Sequence, residues 1–213
     1  PARNTGELMR KGNLEQPFAP IYNYALVTDA AEGLILVDIN TLADGEFRNN
    51  RLTRALTWNP GGLLAGARHV TIGGNVAYVI ADGGLVIVDL AEPLTPKLLA
   101  TVPLGQGRAS ALQFRYLFVT DAEGLKVVDV TQPAQARIVP AATLPLAHAR
   151  GVFAARTYIY VADGARGLAI VDIERPEQPR LLMHYDAGGA IRDARDVVVA
   201  STNASLFAYV ADG

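Results

Sequence analysis

Residues 76–89 read VAYVIADGGLVIVD, two runs of β-branched and aromatic residues on either side of an Asp-Gly-Gly turn. Such runs favour β-strands, and a loop this short can join them only as antiparallel neighbours. Both faces of each run are apolar, which is typical of strands that are covered on two sides. The stretch therefore predicts a β-hairpin buried within a stack of sheets.

The same pair of runs recurs along the chain. Copies read YALVTD and GLILVD within 24–38, YLFVTD and GLKVVD within 116–129, and YIYVAD and GLAIVD within 158–172, and a half copy ends the chain at 208–213. The aspartates that close the first run lie 39 to 53 residues apart, at Asp29, Asp82, Asp121, Asp163 and Asp212. A period of about forty residues is typical of one blade of a β-propeller.

Two further runs complete each unit. Residues 97–102 and 179–184 follow or contain prolines, which strands tolerate at edges, so they are predicted to be outermost strands. Shorter runs that precede each first run are predicted to line the central channel; they lie at 69–72, 109–112, 151–153 and 196–199.

These patterns predict an all-β fold, a β-propeller of four-stranded antiparallel blades. About five blades are expected, the last of them incomplete, within a ring of about six to eight, because propellers close to protect their strand edges. The predicted domains are residues 1–20, an N-terminal extension or part of a blade, and residues 21–213, the repeat propeller, incomplete at its C-terminus.

Composition excludes several classes of function. The 213 residues are 50% hydrophobic and 19% charged, with a formal net charge of -2, which lacks the basic excess of a nucleic-acid binder. There is no cysteine, so disulfides, zinc-thiolate sites and thiol nucleophiles are excluded within these residues. No apolar run is long enough for a transmembrane helix, so no direct membrane span is expected in this segment.

The motifs GLVIVD at 84–89, GLKVVD at 124–129 and GLAIVD at 167–172, with YVADG at 160–164 and 209–213, resemble those of the LVIVD-repeat propellers. The resemblance covers residues 20 to 213. It implies a bacterial or archaeal propeller, commonly secreted or surface-associated and often part of a longer chain. It implies no particular activity, because the motif residues build blades. The first copy departs from the pattern, and the segment after it carries extra residues.

An arginine precedes each innermost run, and these four residues are the candidate anion- or partner-binding rim: Arg68, Arg108, Arg150 and Arg195. Since one strand of an antiparallel pair starts beside the end of the next, each arginine is expected to meet the aspartate of its own blade in a charge-assisted pair. The pairs could tie strand ends together. Alternatively, the arginines could form a cationic collar that binds an anion at the channel mouth.

The repeated aspartates are interpreted as structural turn residues, because their side chains bond nearby backbone amides. The glycines that open the second run are expected to provide a backbone bend; they are Gly33, Gly84, Gly124 and Gly167.

The segment between Asp38 and Arg68 is unique to its blade and holds candidate insertion contacts, namely Arg48, Arg51, Arg54 and Trp58. Arginine and tryptophan are favoured binding anchors. A longer outer strand with a packed Trp58 is the alternative. Oxygen-bearing residues for calcium also occur here but lack the EF-hand register; they are Asp38, Asn40, Asp44 and Glu46.

Catalytic patterns are weak. His69, His148 and His184 occupy different positions in their blades, and no Gly-x-Ser-x-Gly elbow occurs. We predict no catalytic residues, no cofactor and no metal. The leading hypothesis is a non-enzymatic propeller, a scaffold or protein-interaction module of a larger secreted, periplasmic or cell-surface protein or complex. Its partner would be another protein or other domains of the same polypeptide, and not nucleic acid.

The competing hypothesis is an enzyme or an anionic-ligand binding protein that uses the arginine-lined channel mouth. Arginines converging on one pocket would favour it, and arginines closed onto their own aspartates would favour the first hypothesis. A third possibility is association of subunits through the exposed edge of the last blade.

Overall fold

The computed structural model describes residues 20–42, 47–202 and 205–213, so residues 1–19 of the predicted N-terminal segment lie outside the described part. The described residues form eighteen β-strands. The strands are β1 (Tyr24–Asp29), β2 (Gly33–Asp38), β3 (Thr53–Trp58), β4 (His69–Gly73), β5 (Val76–Ala81), β6 (Gly84–Asp89), β7 (Lys97–Val102), β8 (Ala109–Gln113), β9 (Tyr116–Thr120), β10 (Gly124–Asp129), β11 (Arg137–Ile138), β12 (Leu144–Pro145), β13 (Val152–Ala155), β14 (Tyr158–Ala162), β15 (Leu168–Asp172), β16 (Arg180–Tyr185), β17 (Ala194–Ser201) and β18 (Leu206–Asp212).

The helices of the described residues are short 3-10 turns in the connections between strands. They are Pro20–Asn23, Asn40–Leu42, Phe47–Asn49, Pro60–Gly62, Pro133–Gln135 and Pro140–Ala142. None of the helices described is long and apolar enough to cross a lipid bilayer.

The strands form five successive antiparallel sheets, which we number as blades 1 to 5. Blade 1 is β1-β2-β3, blade 2 is β4-β5-β6-β7, and blade 4 is β13-β14-β15-β16. In blade 3 the strands β8, β9 and β10 are followed by two short strands, β11 and β12, which both pair with β10. Blade 5 contains β17 and β18. The predicted propeller of four-stranded antiparallel blades is confirmed.

The innermost strands stand beside one another in chain order. Strand β4 contacts β8, β8 contacts β13, and β13 contacts β17. These are the runs that were predicted to line the channel. Because each innermost strand enters its blade in the same direction, the residues before them gather at one end of the propeller axis.

Apolar side chains from facing sheets fill the spaces between blades. Phe118 of β9 and Ile159 of β14 are fully buried in the cluster between blades 3 and 4. Leu36 of blade 1 and Val79 of blade 2 are fully buried in another. Burying one large side chain contributes about 1.5–3 kcal/mol. The stack of blades is therefore held by its interfaces, which explains the apolar residues on both faces of the central strands.

The glycine that opens each of the four runs GLILVD, GLVIVD, GLKVVD and GLAIVD occupies a crowded backbone position. Gly84 has φ +119° and Gly124 has φ +136°, where side-chain-bearing residues are strained. A Cβ on Gly84 would also overlap the carbonyl oxygen of Val102 on the neighbouring strand β7. The predicted bend is thus combined with a close approach of the outermost strand.

The outermost strands carry a repeated β-bulge. The register shifts between Ile87 and Val88 in blade 2 and between Ile170 and Val171 in blade 4, so Leu99 and Leu182 are extra residues in β7 and β16. A bulge adds twist to an edge strand and discourages its pairing with other chains. Nothing in the apolar pattern of the sequence predicted this irregularity.

Candidate functional site

Three of the four rim arginines start from equivalent backbone positions. The amide of Arg68 donates to Ile80 O at 3.0 Å, that of Arg108 to Thr120 O at 2.7 Å, and that of Arg150 to Ala162 O at 2.9 Å. These bonds extend the ladder between the first two strands of each blade by one residue. The arginine side chains therefore emerge at the same end of the propeller axis.

Among the four rim arginines, all within the described residues, Arg68 alone forms the expected pair with the aspartate of its own blade, Asp82. Arg108 instead donates to the carbonyl oxygen of Ala149 at 2.6 Å. Arg150 pairs with Asp193 at 2.7 Å. The expectation is therefore wrong for Asp121 and the two aspartates that follow it in the repeat, Asp163 and Asp212.

The arginines reach forward into the following blade. Arg68 donates to Gly107 O at 3.5 Å, directly before Arg108, and Arg108 donates to Ala149 O, directly before Arg150. Each of these two guanidinium groups thus contacts the backbone that leads into the innermost strand of the next blade. The residue before each rim arginine is small, which leaves its carbonyl oxygen accessible to a guanidinium group. These residues are Ala67, Gly107, Ala149 and Ala194.

Arg195 pairs within its own segment. Its Nη2 and Nε atoms both lie 2.9 Å from Asp193 Oδ2. Arg150 uses the other oxygen of the same carboxylate. The hydrogen bonds from Arg195 and Arg150 outweigh the effect of desolvation and hold the pKa of Asp193 below its ordinary value. One carboxylate thus serves two of the rim arginines.

Two of the repeated aspartates accept bonds from their own turn. Asp29 Oδ1 accepts from the amides of Ala31 and Glu32 at 2.8 Å each. Asp121 Oδ1 accepts from the amides of Glu123 and Gly124 at 2.8 and 3.2 Å. This is the geometry that the turn interpretation describes.

The last two aspartates of the repeat bridge to other segments. Asp163 accepts from the amide of His148 at 2.7 Å and contacts His184 Nε2 at 3.0 Å. Asp212 accepts from the amides of Arg192 and Asp193 at 2.9 and 2.6 Å. These carboxylates therefore join separate loops. His148 and His184 converge on one buried carboxylate although they occupy different positions in the repeat.

The buried carboxylates of blades 3 and 4 take a basic partner from different strands. Both Asp121 and Asp163 are completely buried. Asp121 pairs with Lys126 of β10 at 2.7 Å, whereas Asp163 contacts His184 of the outermost strand β16. The repeat places the aspartates, and single residues specific to each blade provide the partner.

The candidate insertion contacts lie on a short outer strand and the turn before it. Trp58 ends β3 and is half-buried against the cluster between blades 1 and 2. Arg54 of β3 pairs with Glu32. Arg48 lies in a 3-10 turn and Arg51 is exposed beside it. The packed tryptophan agrees with the alternative given for this segment, but the strand is not longer, since β3 has six residues like β7 and β16. Asp44 and Glu46 of the calcium pattern lie outside the described residues.

A cavity of about 360 Å³, which we call the rim cavity, opens where the innermost strands begin. It is lined by His69, Arg108, Ala109, Arg150, Gly151, Val152, Arg195 and Asp196. Three of the predicted rim arginines thus share one cavity, while Arg68 is not among its lining residues. The amide of Gly151 donates to Arg195 O at 3.0 Å. A side chain at Gly151 would overlap Asp196, so this glycine lets blade 5 approach the cavity.

The sequence analysis did not place His69 or Asp196 at the rim, although aligning the repeats with one another reveals a signal for both. Each directly follows a rim arginine, as do Ala109 and Gly151, and all four line the cavity. Burial lowers the pKa of His69, opposed by the nearby carboxylate of Asp196. The imidazole is therefore neutral at pH 7. The positive charge of the cavity comes from its arginines.

The repeats define the family of this chain. The model of the LVIVD repeat matches residues 22–44, 66–102, 111–139 and 147–187, more than half of the 213 residues. The chain belongs to the LVIVD-repeat family. The matched ranges of this LVIVD-repeat chain cover most of blades 1 to 4. No curated protein matches the sequence.

Solved structures with low sequence identity share the fold of this LVIVD-repeat chain. A functionally unknown protein from Desulfotomaculum acetoxidans is 10% identical with a TM-score of 0.65, and the match covers 91% of this chain and 61% of that one. BamB from Moraxella catarrhalis is 14% identical with a TM-score of 0.59, covering 92% and 54%. PorZ from Porphyromonas gingivalis is 17% identical with a TM-score of 0.55, covering 91% and 24%. BamB and PorZ are β-propellers.

The chain spans between 24% and 61% of the length of these three structures. At such identities the likeness shows the fold alone. Within residues 20–42, 47–202 and 205–213, no group of three or more His, Asp or Glu side chains is placed to hold a metal ion.

Proposed function

We propose that this LVIVD-repeat chain is a non-enzymatic propeller module that binds an extended polypeptide segment within a larger protein or complex. Several of its repeated charged residues make structural contacts that hold blades and turns together, as expected of such a module. Arg108 bonds to the backbone of the next blade, and Asp121 bonds to its own turn and to Lys126. A separate surface suited to a polypeptide partner lies at blade 5.

The observation that carries the proposal is the open flank, by which we mean the edge of β18 that no other strand of the described residues pairs with, together with Met183 and Tyr185 of β16. In the described residues β18 pairs with β17 only. Met183 lies opposite Ile170 and Tyr185 opposite Leu168, so each points to the same face as its partner. That face packs against Val197 near the axis. Farther out, Met183 and Tyr185 are 48% and 52% exposed.

Blade 2 provides an internal comparison for this flank. Val102 of β7 lies opposite Leu85, the position that Tyr185 holds opposite Leu168. Val102 is only 5% exposed because it belongs to a cluster with Val128 of blade 3. The third strand of a following blade is therefore what covers this position elsewhere in the molecule. An apolar strand added to β18 would cover Met183 and Tyr185 in the same way.

Addition of a strand would also provide hydrogen-bond partners for the backbone of β18. The free edge of β18 presents amide and carbonyl groups that an incoming strand can pair with, while its side chains occupy the apolar face. A further repeat of the same polypeptide and a strand of a separate protein share this chemistry. Both are therefore partners of the class proposed.

The test uses a labelled synthetic peptide with the sequence of residues 84–102, the third and fourth strands of blade 2. Fluorescence anisotropy should detect saturable binding to the purified chain. Met183→Lys should weaken that binding about tenfold or more, because a charge would have to be buried under the peptide. Leu94→Lys is the control, since Leu94 is 51% exposed in the turn before β7. Absence of saturable binding, or equal weakening by both variants, would refute the proposed docking.

We further propose an extracytoplasmic location. Support comes from the printed description of PorZ as an essential bacterial surface component of a secretion system. Fractionation of the native cells with an antibody to this chain should recover it with periplasmic, surface or secreted proteins. Recovery with a cytoplasmic marker enzyme would contradict the assignment.

A further inference from the structure

The rim cavity brings together side chains from four consecutive blades. His69 begins the innermost strand of blade 2, while Arg108, Arg150 and Arg195 belong to the corresponding points of blades 3, 4 and 5. Residues about forty positions apart in the chain thus meet in one small space. The regular stacking of blades provides a rigid frame for them.

Positive charge exceeds negative charge around this space. Arg150 and Arg195 share the single carboxylate of Asp193. Arg108 donates to the carbonyl of Ala149 and forms no ion pair with any carboxylate in the described ranges. Asp196 adds one negative charge to the lining. Three guanidinium groups therefore face two carboxylates, and the unmatched charge is that of Arg108.

The arginines also retain donors. A guanidinium has five N–H groups, and the bond to Ala149 accounts for one of those on Arg108. The planar fork of such groups matches the oxygens of a carboxylate or a phosphate. At about 360 Å³ the cavity is near the lower end of the range for small-molecule sites. Its size and donors fit a small oxyanion.

The carboxylate of Asp196 restricts which oxyanions the cavity can bind. A bare polyvalent anion would be repelled by its carboxylate, whereas a hydroxyl or ammonium group beside the anionic head can donate to it. We propose that the rim cavity binds a small organic oxyanion, a phosphate or carboxylate that carries a hydroxyl or ammonium donor a few bonds away. Arg108 binds the anionic oxygens and Asp196 accepts from the neighbouring donor. This site is independent of the open flank.

Isothermal titration calorimetry at constant ionic strength provides the test. The probes are inorganic phosphate, sn-glycerol 3-phosphate and glycerate. Comparing the first two shows the effect of the hydroxyl groups, and comparing the last two shows whether the site prefers a phosphate or a carboxylate. Wild-type chain should bind glycerol 3-phosphate or glycerate at least about threefold more tightly than inorganic phosphate. If none of the three probes binds below about 10 mM, the site as proposed does not exist.

Two variants should shift the binding of phosphate in opposite directions. Arg108→Gln should weaken it about tenfold, because the unpaired cation is lost. Asp196→Asn should strengthen it and abolish the preference for glycerol 3-phosphate, because a like charge is removed. Arg175→Gln is the matched control, an exposed arginine between β15 and β16. Circular dichroism checks that each variant is folded.

Asp196 is exposed, so its amide variant tests the site even if Arg108→Gln does not fold. Unchanged phosphate affinity in folded Arg108→Gln would overturn the proposal. So would a retained preference for glycerol 3-phosphate in Asp196→Asn. Neither result affects the peptide-binding test, because Met183 and β18 are not among the residues that line the cavity.

Discussion

Gly84→Ala is expected to lower the free energy of unfolding by about 3 kcal/mol or more, while Gly83→Ala beside it changes the value by less than about 0.5 kcal/mol. Gly84 has φ +119°, and an added Cβ would overlap Val102 O and lie 2.8 Å from Leu104 N. Both obstacles are backbone atoms of the outer strand and the loop that follows it. They can move only if the pairing of β6 with β7 is disturbed.

Gly83 makes a close control because it occupies the same turn. It does not have a positive φ, and an added Cβ would meet nothing within 4 Å. Urea denaturation followed by circular dichroism measures both variants against wild type. Equal stability of the two variants would mean that the bend and the close approach at Gly84 are not required, and the physical explanation of the repeated glycine would be wrong.

Lys126→Met is expected to destabilise the chain by about 3 kcal/mol, because it leaves the buried carboxylate of Asp121 without its cation. The Asp121 side chain is 0% exposed and that of Lys126 is 12% exposed, with 2.7 Å between Nζ and Oδ2. Burial by itself lowers the pKa of Lys126. The hydrogen bonds to Asp121 and Glu123 outweigh that effect and raise the pKa above its ordinary value. The amine is therefore charged at neutral pH.

A second substitution tests the cause. Asp121→Asn combined with Lys126→Met should restore more than half of the lost stability, because the amide removes the buried charge while its oxygen still accepts from the turn amides. Lys97→Met on the exposed surface of β7 serves as the control and should be nearly neutral. The urea midpoints of the four proteins provide the comparison. Failure of Asp121→Asn to rescue would assign the loss to packing of the lysine stem instead.

The strands could be predicted because two periods coincide in the sequence. Apolar runs of five or six residues mark strands, and their recurrence about every forty residues marks blades. The run at 84–89 forms β6 over the same six residues. The innermost strands were predicted as well, although β17 begins two residues earlier and ends two residues later than its run at 196–199. The local apolar pattern and the turn residues are therefore enough to predict where the strands lie.

The partners of the charged residues could not be predicted in the same way. Arg108 lies beside Thr120 through the backbone, yet its guanidinium contacts Ala149, 41 residues farther along the chain. Strand pairing within a blade indicates the first contact. The second depends on how closely one blade stacks on the next, which the pattern of one blade does not contain.

Repetition of apolar runs and glycines along the chain was sufficient for the fold, because each blade forms through contacts between residues close in sequence. The rim cavity depends on the tertiary structure, since it exists only when four blades are stacked and bring Arg108, Arg150, Arg195 and Asp196 together. The same holds for the open flank, where exposure of Met183 and Tyr185 depends on which strands cover blade 4. Side chains separated by whole blades meet through packing between sheets, and that packing follows from volumes and angles that no local pattern encodes.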